Sequence, residues 1–156
     1  MSRTILVIED NEEERKIFST YLEFVGVRLL QANNGAMGIE MARRHRPDMI
    51  LMDLSMPVMT GWEAIAQLKT DPGTAEIPVA AITGHHLPAE RLEEAGFCGY
   101  LEKPLAPYRV LEEVERCLGP LEAPNQRREN RARQRDRRTS LRRAVPGEGV
   151  AVRRRR

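Results

Sequence analysis

The chain has 156 residues, of which 41% are hydrophobic and 31% are charged, so it has room for one domain of about 100–150 residues and a remainder. No apolar run approaches the roughly 18–20 residues of a membrane span, and no signal-peptide pattern precedes the first apolar run, which predicts a soluble, cytoplasmic protein. The two cysteines, Cys98 and Cys117, lie in no metal-binding spacing, so reduced structural thiols are expected.

The net charge of +2 is divided unevenly along the chain. Residues 1–121 carry 12 Lys and Arg against 19 Asp and Glu, whereas residues 122–156 carry 13 Arg against 4 acidic residues. The apolar periodicity stops at Gly119-Pro120, a pair that breaks helices. We therefore predict one domain over residues 1–120 and an Arg-rich tail over residues 121–156, which is expected to be disordered because it has too few apolar side chains to bury.

Five short apolar runs alternate with segments of helical spacing in the first domain. The predicted strands are Thr4–Ile8, Val27–Gln31, Met49–Met52, Val79–Ile82 and Gly99–Leu101. Their nearly continuous apolar character is typical of strands that are buried on both faces of a parallel sheet. The alternation predicts an α/β fold with a five-stranded, doubly wound parallel sheet.

The segments between these runs carry helix signals. Asn11 is placed to cap a first helix whose opening residues, Glu12 to Glu14, complement the helix dipole. Several apolar residues share a helical face, as an amphipathic helix requires. They are Ile17, Tyr21, Leu22 and Val25 in the first helix, Ile65 and Leu68 in a middle one, and Val110, Val114 and Leu118 in the last.

The residues whose side chains could take part in binding or catalysis stand directly after the predicted strands. They are Glu9 and Asp10 after the first strand, Asp53 after the third, Thr83 and Gly84 after the fourth, and Glu102 and Lys103 after the fifth. Open α/β sheets bind ligands beyond the carboxyl ends of their strands. The predicted fold therefore gathers carboxylates, a hydroxyl and an ammonium group at one edge of the sheet.

Three carboxylates brought together repel one another unless a cation joins them. Mg²⁺ is the expected cofactor, because it prefers oxygen ligands and binds through one or two carboxylates together with phosphate oxygens. A carboxylate can attack phosphorus and form an aspartyl phosphate, and a Lys and a Thr hydroxyl are suitable groups to neutralise the phosphoryl charge. The pattern predicts a phosphoryl-acceptor site.

Four segments resemble the receiver domain of two-component response regulators, especially the stand-alone type. They are residues 5–11, residues 47–57 together with Gly61, residues 82–84 and residues 100–104. The resemblance extends over nearly all of residues 3–118 in the order and spacing of the family. It implies the flavodoxin-like receiver fold and a protein that signals without catalysing a reaction beyond its own phosphorylation and dephosphorylation.

The resemblance also implies which residues act at the site. Asp53 would be the phosphoacceptor, and Thr83 and Lys103 would hold the phosphoryl oxygens. The implied ligands of Mg²⁺ are Asp10 directly, Glu9 through water, Asp53, and the backbone carbonyl of Ser55.

Signalling would follow from the same resemblance. Tyr100 would turn inward when Thr83 moves toward the phosphoryl group. The donor would be a histidine kinase or a histidine phosphotransfer protein, and the output would be an unidentified protein that binds the reshaped surface. His85 and Ser55 border the path of the attacking water in this family, and we expect them to tune the lifetime of the phosphoryl group.

Two alternative functions are compatible with parts of the sequence. Aspartate-nucleophile phosphatases of the haloacid dehalogenase type also use Asp, Thr and Lys with Mg²⁺, but they carry a second Asp two residues after the nucleophile, where this chain has Ser55. The Arg-rich tail would instead suit a receiver-regulated, nucleic-acid-binding accessory protein, or contact with anionic lipid or with the acidic domain itself. No helix-turn-helix pattern follows residue 120.

Overall fold

Five strands alternate with five helices along residues 2–121, the part of the chain that the computed structural model describes. The strands are β1 (Thr4–Ile8), β2 (Arg28–Ala32), β3 (Met49–Asp53), β4 (Val79–Thr83) and β5 (Gly99–Glu102). The helices are α1 (Glu12–Phe24), α2 (Gly35–His45), α3 (Gly61–Thr70), α4 (Ala89–Ala95) and α5 (Pro107–Leu118). The predicted Arg-rich tail lies outside the described residues, except for Leu121.

All strand pairs are parallel, and the strand order is β2-β1-β3-β4-β5. The chain moves from β1 outward to β2 on one side and then returns to β3 on the other, so the order reverses between β1 and β3. Ligands of open α/β sheets bind at such a reversal, beyond the carboxyl ends of the strands. The predicted five-stranded, doubly wound α/β fold is confirmed, and it places the ends of β1 and β3 side by side.

The sheet is longer at its carboxyl edge than the apolar runs predict. β3, β4 and β5 each continue one residue further, through Asp53, Thr83 and Glu102. Asp53 is paired with Ile82, and Thr83 is paired with Glu102. The ladder continues because it is made by backbone groups, which do not depend on whether the side chain is apolar.

Both faces of the sheet are covered. One face, with Leu6, Ile50 and Met52, packs against residues of α2, α3 and α4, and the other, with Ile5, Val7 and Leu51, packs against residues of α1 and α5. The two sets of core residues alternate along β1, because successive side chains of a strand point to opposite faces. No helix within residues 2–121 is long and apolar enough to cross a membrane.

Helix α1 differs from its predicted packing face. Asn11 caps it as predicted, since its side chain accepts a hydrogen bond from the backbone N–H of Glu14. The buried apolar side chains are Phe18 and Leu22, whereas Ile17 is 47% exposed. The prediction was wrong for Ile17, because the aromatic side chain of Phe18 fills the core position one residue further along the helix.

Gly61 at the start of α3 lies against the backbone of the site strand. A Cβ added there would come within 2.5 Å of the carbonyl oxygen of Asp53 and 2.8 Å of the Cα of Leu54. Backbone atoms of a central strand cannot shift cheaply, so we expect Gly61→Ala to lower the free energy of unfolding by about 1–3 kcal/mol. Urea denaturation followed by circular dichroism measures this change.

Gly84 offers the matched control, because a Cβ added there meets nothing within 4 Å among the described residues. Gly84→Ala is expected to leave the free energy of unfolding within about 0.5 kcal/mol of the wild type. Equal effects of the two substitutions would show that the close approach of α3 to β3 does not constrain the backbone of Asp53.

Candidate functional site

The candidate site lies where β1, β3, β4 and β5 end. Glu9 and Asp53 are 0% and 2% exposed, and Thr83 is 2% exposed. Asp10 and Ser55 are exposed, while Tyr100 and Lys103 are half-buried. The structure therefore brings the predicted site residues to one edge of the sheet. It also buries the carboxyl groups of Glu9 and Asp53, whose burial the sequence analysis did not predict.

Three carboxyl groups form the centre of the site. Glu9, Asp10 and Asp53 each offer an oxygen, and these atoms lie within 4.8 Å of one another. Backbone N–H groups fix two of them, since Asn11 donates to Glu9 Oε1 over 3.2 Å and Ser55 donates to Asp53 Oδ1 over 2.8 Å. One oxygen of each buried carboxyl group is thus held by the backbone, and the other faces the cluster.

Lys103 supplies the compensating charge. Its Nζ donates to Asp53 Oδ2 over 2.9 Å and lies 3.5 Å from Glu9 Oε2. It also forms an ion pair with Glu14, in the first turn of α1. The backbone N–H of Lys103 donates to the carbonyl oxygen of Thr83 over 2.8 Å, which extends the β4–β5 ladder and aims the side chain at the acidic cluster.

The electrostatics of the cluster shift two pKa values in the same direction. Burial, followed by the nearby carboxyl group of Asp53, raises the pKa of Glu9 to about 8. Burial by itself lowers the pKa of Lys103, but the interactions with Glu14 and Asp53 outweigh it and hold that pKa above its ordinary value. Crowded acidic groups therefore favour the protonated form of Glu9 and the charged form of Lys103.

The residues fit a divalent cation. Glu9 Oε2 is fully buried and makes no hydrogen bond with any described residue, which is costly for a carboxylate oxygen unless a cation or a proton meets it. The nearby oxygens of Asp10 and Asp53 are hard donors of the kind that Mg²⁺ prefers. Ser55, whose backbone carbonyl is the remaining predicted ligand, lies two residues after Asp53, in the loop that follows β3.

Thr83 lies at the carboxyl end of β4, as predicted, but its hydroxyl group is hydrogen-bonded to the loop that follows. Thr83 Oγ1 donates to the carbonyl oxygen of His85 over 2.9 Å and accepts from the backbone N–H of the same residue over 3.0 Å. Tyr100 packs against the core on the α2, α3 and α4 face of the sheet. The hydroxyl group must therefore release the carbonyl oxygen of His85 before it can donate to a ligand at the acidic cluster.

The sequence analysis missed three residues at this edge of the sheet. Glu14 was interpreted only as a complement to the helix dipole, yet it reaches Lys103. Arg15 donates from Nη1 to the carbonyl oxygen of Glu9 over 2.8 Å, and the ring of His86 lies 2.7 Å from a Glu102 oxygen. The signal for Glu14 and Arg15 was their position in the first turn of α1, which begins directly beyond Glu9 and Asp10.

The fold and the site define the class of the protein as a signalling domain of two-component systems. The response regulator receiver domain matches residues 5–115 of the chain. The chain therefore belongs to the family of response regulator receiver domains, whose members act as phosphoacceptors and interact with histidine kinases or phosphotransfer proteins.

Relatives and solved structures agree with this assignment. The polar-differentiation response regulator DivK of Brucella anthropi is 35% identical over 121 residues, which are 76% of this chain and 98% of that protein. DivK of Brucella ovis is 33% identical with the same coverage.

Two crystal structures show the same architecture. Vibrio cholerae chemotaxis protein CheY4 matches with a TM-score of 0.72 and 27% identity, over 76% of this chain and all of that one. The receiver domain of the sensor histidine kinase PA1611 from Pseudomonas aeruginosa, which holds a magnesium ion in its active site cleft, matches with a TM-score of 0.70 and 28% identity, over 77% and 100% of the two chains.

The raised pKa of Glu9 predicts how stability changes with pH in the absence of divalent cations. The folded state holds the Glu9 proton more tightly than the unfolded chain, so the contribution of Glu9 to stability is greatest below the ordinary pKa of 4.5 and is lost as the pH rises toward about 8. Glu9→Gln cannot ionise. We expect its free energy of unfolding, relative to the wild type, to rise by about 1–3 kcal/mol between about pH 5 and pH 8.

Urea denaturation in the presence of a chelator, at several pH values, measures this difference. The exposed Glu40→Gln is the matched control, and its profile is expected to run parallel to that of the wild type. A constant difference between Glu9→Gln and the wild type across this pH range would contradict the raised pKa.

Proposed function

We propose that the chain is a single-domain response regulator that accepts a phosphoryl group on Asp53 from a phosphohistidine donor. The observation that carries the proposal is the setting of Asp53 itself. Its Oδ1 is held by the Ser55 N–H group and its Oδ2 by the Lys103 ammonium, inside a cluster of three carboxyl groups. Such a carboxylate is oriented for attack on phosphorus and has a cation beside it.

Mg²⁺ would be held by Glu9, Asp10, Asp53 and the Ser55 backbone carbonyl, and when bound it supplies charge neutralisation at the phosphoryl oxygens. The related receiver domain of PA1611, which is solved with magnesium in its cleft, supports this assignment. The buried Oε2 of Glu9 also supports it, because that oxygen accepts no hydrogen bond from any described residue and its ion pair with Lys103 is long, at 3.5 Å.

The remaining site residues act on the transferred group. An Asp53 oxygen forms the new bond to phosphorus while the bond from phosphorus to the donor imidazole breaks. Lys103 then contacts a phosphoryl oxygen as a point charge, and Thr83 turns its hydroxyl group from His85 toward another. Phosphoryl transfer of this kind depends mainly on positioning and electrostatic stabilisation.

The signal would be a change in the surface formed by residues 83–103 and α5. Release of His85 by Thr83 frees the loop after β4, and Tyr100 turns inward on the neighbouring strand. A histidine kinase or a histidine phosphotransfer protein is the proposed donor, and a second protein is the proposed target of the altered surface. A single phosphoryl group can shift this equilibrium only if the two states differ by a few kcal/mol.

The single-domain assignment is supported by the lengths of the relatives. The matched segment covers 98% of DivK, so that relative consists of little more than a receiver domain. The domain boundary at residue 120, the cytoplasmic location and an anionic partner for the tail, whether nucleic acid or lipid, stay predictions. Ser55, in place of a second acid, still disfavours the alternative of an aspartate-nucleophile phosphatase.

The proposal is tested by intact-protein mass spectrometry after incubation with Mg²⁺ and acetyl phosphate. We expect the wild type to gain one base-labile phosphoryl group and Asp53→Asn to gain none, because the amide cannot form the acyl phosphate. Asp71→Asn is the matched control, since Asp71 pairs with Arg43 away from the site and its replacement leaves the acceptor intact. Phosphorylation of Asp53→Asn, or none in the wild type even with phosphohistidine donors, would contradict the proposal.

The lifetime of the phosphoryl group gives a second prediction. Ser55 and His85 are exposed beside Asp53 and Thr83, where side-chain polar groups are able to orient water. We expect Ser55→Ala with His85→Ala to slow hydrolysis of the phosphorylated protein by roughly tenfold. Decay of the phosphorylated mass after removal of the donor measures the rate, and His86→Ala is the neighbouring control. An unchanged rate in the double variant would rule out this role.

A further inference from the structure

The ammonium group of Lys103 has a carboxylate partner outside the predicted site. Asp53 and Glu9 account for two of its contacts, and the carboxyl group of Glu14 is the third. The side chain of Glu14 is 35% exposed, but its Oε2 atom is buried, and Lys103 is the ion-pair partner of that atom. Glu14 thus meets Lys103 with a carboxylate oxygen that is shielded from water.

Glu14 is held firmly in this position by the start of α1. Its backbone N–H donates to Asn11 Oδ1 over 3.1 Å, and the backbone N–H of Asn11 donates to Glu9 Oε1 over 3.2 Å. Asn11 therefore links the turn that carries Glu14 to one of the carboxyl groups of the cluster. The contact with Lys103 follows from the same capping arrangement that begins the helix.

The charges make Glu14 a competitor of the phosphoryl group. Lys103 carries one positive charge and shares it among three carboxyl groups, of which Glu14 contributes most to raising its pKa. A phosphoryl group on Asp53 removes the charge of that carboxylate and brings about two negative charges of its own. The phosphoryl oxygens and Glu14 then require the same ammonium group.

We infer that Glu14 is a positioning residue of the phosphoryl site, which holds Lys103 in the unmodified protein and yields it when Asp53 is phosphorylated. The inference rests on the proposed role of Asp53 as acceptor. Glu14 favours the unphosphorylated state, because the phosphoryl group must displace it from Lys103. It also takes a share of the positive charge of Lys103, which leaves Glu9 and Asp53 less fully neutralised and freer to bind a divalent cation.

Two binding reactions are expected to respond in opposite directions when the charge of Glu14 is removed. In Glu14→Gln, Lys103 is available to a phosphoryl group, so beryllofluoride, a phosphoryl analogue, should bind more tightly. Lys103 also pairs more fully with Glu9 and Asp53, so Mg²⁺ should bind more weakly. A residue that only complements the helix dipole or the net charge of the domain would not separate the two ligands in this way.

Isothermal titration calorimetry on the full chain tests the inference with Mg²⁺ alone and with beryllofluoride at saturating Mg²⁺. For Glu14→Gln we expect beryllofluoride to bind about fivefold tighter and Mg²⁺ about threefold weaker than in the wild type. Glu13→Gln is the matched control, because it removes the same charge from an exposed side chain in the same turn. Thermal unfolding of each variant checks that the helix is intact.

The outcomes separate this inference from the proposed function. Equal effects of Glu14→Gln and Glu13→Gln, or shifts of both ligands in one direction, would overturn the role of Glu14. Failure of the wild type to bind beryllofluoride would overturn the acceptor role of Asp53 instead. In that case a weaker affinity for Mg²⁺ in Glu14→Gln than in Glu13→Gln still supports control of Lys103 by Glu14, and equal affinities reject it.

Discussion

The site depends on the confinement of acidic groups around one ammonium group, that of Lys103. Glu9 and Asp53 are buried, Asp10 lies within reach of both, and Lys103 is the ammonium group that meets the buried pair. Like charges at such distances disfavour full ionisation, so the cluster attracts positive charge. This excess of negative charge makes the edge of the sheet receptive to a divalent cation.

The fold concentrates these groups because each belongs to a different strand end. β1 and β3 are neighbours at the reversal of strand order, which brings Glu9 beside Asp53, and β4 carries the ladder onward to β5 and Lys103. In the resting arrangement Thr83 is bonded to His85 and Lys103 to carboxylates. In the proposed function these two side chains exchange their protein partners for phosphoryl oxygens.

Much of the architecture could be read from local patterns. The five apolar runs, the cap at Asn11 and the polar residues after the strands predicted the elements, their parallel arrangement and the edge where a site would form. The pattern was misleading at Ile17, because spacing alone does not tell which of two adjacent apolar residues fills the core. It also ended β3, β4 and β5 one residue early, since hydrophobicity does not register a backbone ladder that continues through Asp53 and Thr83.

The sequence by itself determined which chemical groups are available and which strand each one follows, because strand and helix periodicity are local properties of the chain. Only the tertiary structure decided how these groups meet. The burial of Glu9, the ion pair between Glu14 and Lys103, and the bonding of Thr83 to His85 depend on side-chain directions and on distances between residues remote in sequence. Electrostatic coupling varies with those distances and with burial, so the state of charge of the site emerges only when the chain is folded.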